Sequence, residues 1–116
     1  VSDAKATKLT TALIKNKDGK FIGATLEGAT AALAGATIND NLTYNPLNAA
    51  GAEAYPITAP TYVIVYTTPS ANATAIKGWL TYLLSEAQDL AKDVDFAPLP
   101  ASLRDKALAQ ITQIQG

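Results

Sequence analysis

The chain has 116 residues, 48% of them apolar, and a formal net charge of -1. That allows one small domain, which buries roughly two thirds of its unfolded surface. No basic stripe with interleaved aromatics is present, which excludes the electrostatics of nucleic-acid binding, and no apolar run approaches the ~20 residues of a membrane span.

Histidine and cysteine are absent. Their absence removes the commonest general base, the commonest metal ligands and all disulfide chemistry. Methionine is absent too, even at position 1, so a processed, cut or engineered polypeptide is expected. Much of the apolar content is alanine, which packs closely but contributes little burial per residue, about 0.8 kcal/mol per methyl-sized group. Such a core is thin for a free-standing domain, or suits one that packs on something else.

In chain order, Ser2–Ile14 reads as a first helix, with Ser2 or Asp3 as cap and Ala6, Leu9 and Leu13 on one face. A turn follows at Asn16–Lys20, marked by Asp18-Gly19. Phe21-Ile22 is long enough only for an extended bridge. Thr25–Ala36 reads as a second helix, with Thr25 as N-cap, Glu27 in the first turn and Gly35 near the end. Asn39–Gly51 has the composition of a loop, and loops of this length are usually functional or wrap another part of the fold.

The stretch Ala54–Tyr66 organises the reading. Its run Tyr62-Val63-Ile64-Val65-Tyr66 is dense in β-branched and aromatic residues, with Pro56 and Pro60 before it and no proline inside. Proline lacks the ladder N–H and is tolerated at a strand entry. Without polar alternation, the run predicts a strand covered on both faces. After Thr68-Pro69-Ser70, a third helix is predicted over Ala71–Lys92, with a stripe at Ile76, Leu80, Leu83, Leu84, Ala87, Leu90 and Ala91. Trp79 and Tyr82 lie off it and bury a second face or flank the first. Asp93–Pro100 is an extended connection that Phe96 and Leu99 can pin to the core. A last helix spans Ala101–Ile114, with Leu103, Ala107, Ile111 and Ile114 on one side. The predicted class is α/β, built from strand, turn and helix.

Little in the residues supports catalysis. Asp93 and Asp95 have a spacing that can share a metal or a proton, but it is also that of a solvated loop, and the solvated reading is preferred. Glu86 and Asp89 fall on the third helix's polar side. Arg104, the sole arginine, suits phosphate or carboxylate recognition, yet its setting beside Asp105 and Lys106 reads as a surface helix charge. No Gly-x-Gly-x-x-Gly, Walker or Gly-x-Ser-x-Gly pattern exists. Asn41-Leu42-Thr43 and Asn72-Ala73-Thr74 match the N-glycosylation pattern, which recurs by chance and has meaning only in a eukaryotic host.

Several stretches together resemble one family. Ala54-Tyr55-Pro56-Ile57-Thr58 followed by the Tyr62–Tyr66 run resembles the aromatic-Pro-Ile-Ser/Thr segment of periplasmic phosphate-binding proteins, the PstS family. Asp93-Val94-Asp95-Phe96-Ala97-Pro98-Leu99-Pro100 is similar to that family's Asp-x-Asp/His-aromatic-x-x-Leu-Pro segment. The order of turn, Thr25 helix, Asp40–Thr43 loop, Trp79 helix and Leu-Pro-led final helix also fits.

The resemblance implies an α/β chain forming the C-terminal part of a two-lobed periplasmic-binding-protein (type II) fold. Residues 1–54 would be the tail of the second lobe and residues 55–116 the C-terminal part of the first. The implied function is the phosphate-binding component of an ABC-type uptake transporter, present as a C-terminal fragment or as one piece of a nicked or split protein. The alternative is a stand-alone α/β interaction or structural domain that binds no phosphate. No enzyme activity, cofactor, metal or catalytic residue is implied.

The family's phosphate ligands, including backbone N–H groups at helix starts, would lie in the missing N-terminal part. No phosphate-binding residue is carried over to this chain, and Arg104 is not the family's binding arginine. Implied partners are inorganic phosphate through that missing part, a membrane permease, and a companion polypeptide or identical copy covering the sheet edge; no nucleic acid is implied. The implied location is periplasmic or extracellular, with membrane association through the transporter or a lipid anchor outside this chain. Without flanking strands, an apolar face around Val63, Val65, Leu80 and Leu84 is expected to stand too open for a monomer.

Overall fold

A computed structural model describes residues 2–116. The order of elements is α1 (Ser2–Ala6), β1 (Ile14–Lys15), β2 (Phe21–Ile22), α2 (Leu26–Ala34), α3 (Ala73–Leu84), α4 (Ala87–Ala91), a 3-10 turn (Lys92–Val94) and α5 (Ala101–Ile111). It is a mixed α/β arrangement.

The first predicted helix is cut short. Residues 7–13 follow α1 without regular structure, and Ile14 enters a strand instead. Three threonines, Thr7, Thr10 and Thr11, weaken helix propensity, and residues 7–13 are exposed, so packing does not compensate. β1 pairs antiparallel with β2, Ile14 opposite Ile22 and Lys15 opposite Phe21. The connecting turn is where Asp18-Gly19 places it, and Gly19 takes φ +81°, a left-handed angle that favours glycine.

Asn16 fixes this hairpin in place. Its buried side-chain Nδ2 lies 3.1, 2.9 and 3.2 Å from the carbonyl oxygens of Gly51, Ala52 and Ala54, while its Oδ1 accepts from the Lys20 N–H at 2.9 Å. One amide thus joins the hairpin to the Gly51–Ala54 stretch.

α2 forms as its sequence dictates. The Thr25 hydroxyl caps it by accepting from the Gly28 N–H at 3.0 Å. Small residues let the stretch 49–55 run closely along it. A Cβ on Gly28 would stand 3.1 Å from the Tyr55 Cβ, and one on Gly35 would strike the Ala50 carbonyl. The Tyr55 N–H donates to the Gly28 carbonyl at 2.9 Å. Ala32, Ala49 and Ala54 make the buried cluster between them, so the alanine-rich composition shows directly as close approach.

The long third helix is broken into α3, α4 and the 3-10 turn. Ser85 leaves helical geometry (φ -119°, ψ -94°), and its hydroxyl donates to the Thr81 carbonyl at 2.6 Å. Serine that bonds back to the preceding turn competes with the helix ladder and bends it. The Leu83 carbonyl accepts instead from Gln88 Nε2 at 2.7 Å, and Gln88 Oε1 accepts from the Leu99 N–H at 2.8 Å. Asp95 ends the 3-10 turn in the left-handed region at φ +59°. α5 follows Pro100 and ends at Ile111, three residues before the predicted Ile114.

The central strand is not formed. Tyr62–Tyr66 has no regular secondary structure, and among the described residues no backbone–backbone hydrogen bond involves residues 61–66. Ile64 is 92% exposed and Tyr66 88%. A strand needs a ladder partner, and the one sheet among the described residues is the β1–β2 hairpin. The predicted coverage on both faces therefore fails for lack of neighbours, not of propensity. Nor do Trp79 and Tyr82 bury a second face: they are 51% and 43% exposed.

Candidate functional site

The apolar faces that should meet in a core instead wall an open trough of about 1110 Å³. α2 contributes Leu26, Ala29 and Leu33. α3 and α4 contribute the predicted stripe from Leu80 to Ala91, and α5 contributes Leu103, Ala107 and Ile111. Thr61–Val65 runs along it. Small-molecule sites usually hold about 300–1,000 Å³ and close around convergent polar groups. This trough is larger, and among the described residues Asp95 is the one charged residue that lines it.

None of Val63, Val65, Leu80 and Leu84 is buried. Among the described residues the buried large aliphatic side chains are few: Leu33, Leu103 and Ile114. Two global quantities agree with this openness. The accessible surface is 7723 Å², where a compact monomer of 12.0 kDa exposes about 6,000 Å². The Cα radius of gyration is 16.1 Å, against about 13 Å for a compact domain of this length.

At one edge of the trough, Tyr62 is clasped to Tyr44. Their rings stand edge to face with centroids 5.8 Å apart. The Tyr62 hydroxyl accepts from the Tyr44 N–H at 3.2 Å and donates to the Tyr44 carbonyl at 3.4 Å. Burial, and after it the Tyr62 hydroxyl, push the Tyr44 phenol above its ordinary value of 10.0. This clasp is the side-chain hold on an otherwise unpaired run.

The residues weighed for chemistry lie apart from any reactive arrangement. Asp95 turns to Lys5, with Oδ1 3.1 Å from Nζ, while Asp93 is exposed in the 3-10 turn. Glu86 and Asp89 are exposed. Arg104 lies 3.7 Å from the Asp105 carboxylate on the surface of α5. Asn41 sits in an exposed turn where its Oδ1 accepts from the Thr43 hydroxyl at 2.6 Å and the Thr43 N–H at 3.1 Å. Asn72 precedes α3 and caps it with no side-chain bond. Among the described residues, no three carboxylates gather as a metal site would require.

Sequence reasoning missed Asn16 and the Tyr44–Tyr62 clasp. Asn16 stands in a turn-rich run where asparagine is expected for local reasons, and its three carbonyl partners lie 35 or more residues away. No short-range signal marks such a bond.

Small α/β elements are set around an open apolar trough. The chain belongs to the PBP (periplasmic-binding-protein) superfamily: the family model described as "PBP superfamily domain" matches residues 1–87. No match was found among curated proteins. Domains of this superfamily are typically substrate-binding proteins rather than enzymes, and they suggest a periplasmic or extracellular setting. Among the described residues no helix is long and apolar enough to cross a membrane.

Proposed function

We propose that this chain is part of the phosphate-binding component of an ABC-type uptake transporter, a protein that captures inorganic phosphate outside the cytoplasm and presents it to a membrane permease. The observation that carries the reading is the pair of segments Tyr55-Pro56-Ile57-Thr58 and Asp93–Pro100, in that order, in a chain of the PBP superfamily. The first segment is well held. Ala54, Pro56 and Thr58 are buried, and the Thr58 hydroxyl donates to the Tyr55 carbonyl at 3.0 Å.

In this reading residues 1–54 belong to the second lobe and residues 55–116 to the first, with the crossing at Tyr55. The chain itself supplies no phosphate ligand, no metal, no cofactor and no catalytic group. Its trough is covered by further protein, either a companion polypeptide or another copy, and any membrane anchor lies outside it. The unpaired Tyr62–Tyr66 run supports this over a stand-alone interaction domain, which would close its own apolar faces.

Isothermal titration with inorganic phosphate tests the proposal, on residues 1–116 alone and on a polypeptide that contains them together with the earlier segments. The longer polypeptide is expected to bind at micromolar concentration or tighter, and residues 1–116 alone not at all. Micromolar binding by the short chain would contradict the placement of the site. Absence of binding by the longer one would contradict phosphate as the ligand. Intact mass of the natural product separates a companion polypeptide from a homogeneous short chain.

A further inference from the structure

We draw no further inference here: the strongest candidate, the apolar trough walled by α2, α3 and α5 beneath Thr61–Val65, belongs to the reading already proposed, and nothing in the structure shows what covers it.

Discussion

Asn16 is the residue on which most of the local order depends. Its amide meets three carbonyls of one stretch and one N–H of its own turn. Replacing it with alanine removes the partner of the buried Ala54 carbonyl, of the Ala52 carbonyl and of the Lys20 N–H, while the Gly51 carbonyl keeps the Ala54 N–H at 3.0 Å; the expected cost is about 1–3 kcal/mol. Asn16→Ala is therefore expected to lower the urea midpoint with little change in the slope of the transition. Tyr44 offers a second test, by pH. Its phenol is raised above 10.0 in the folded chain, so the folded state holds that proton more tightly than the unfolded one. The resulting stability is fully present below the unfolded value of about 10 and is lost as pH rises through the raised folded value. Denaturation of the native chain and of Tyr44→Phe, compared from pH 8 upward, should give a constant difference to about pH 10. Above it, the native chain should lose stability relative to the variant. A difference that stays flat through strongly alkaline pH would remove the assigned cause.

At the scale of elements, the helices were legible where an apolar stripe of period 3.6 and a cap coincide. Thr25 caps α2 as its position predicted, and the stripe from Leu80 to Ala91 faces one side. The break at Ser85 was not legible, because the stripe continues through it. It depends on a hydroxyl that bonds to Thr81 and on Gln88, which satisfies both Leu83 and Leu99. Gln88→Ala should cost about 1–3 kcal/mol by orphaning these two partly buried groups, visible in chemical denaturation. Gly78 is the opposite case. It lies inside α3, exposed, and an added Cβ would meet nothing within 4 Å. Gly78→Ala should stabilise the chain by about 0.8–1 kcal/mol through helix propensity alone, so a loss of stability there would mean that α3's outer face is covered. The Tyr62–Tyr66 strand was misread for a different reason. β-Propensity describes fitness for a pleated, half-buried surface, but pairing requires a second strand, and composition cannot say whether one is at hand.

Taken as a whole, the molecule has the inward faces of a binding fold around an interior left open. Phe96 lines the trough yet is 56% exposed, and Leu80, Leu83 and Leu84 are only half buried. Side chains of this kind contribute about 1.5–3 kcal/mol each when fully buried, a large share of the ~5–15 kcal/mol that stabilises a small domain. The superfamily was readable from the order of short segments, though the family model does not single out the phosphate-binding member, and the open interior was foreseen from the same reading. No ligand site was readable, because no stretch here carries a local binding motif such as Gly-x-Gly-x-x-Gly or Walker. The central claim is that Tyr62–Tyr66 lacks its strand partners within residues 1–116. Amide hydrogen exchange of the isolated chain, resolved by residue, tests it most directly. The amides of Tyr62–Tyr66 are expected to exchange close to the unprotected rate, while those of Ala29–Leu33 in α2 are slowed by their helical bonds. Protection of Tyr62–Tyr66 as strong as that of α2, in the 116-residue chain alone, would contradict it.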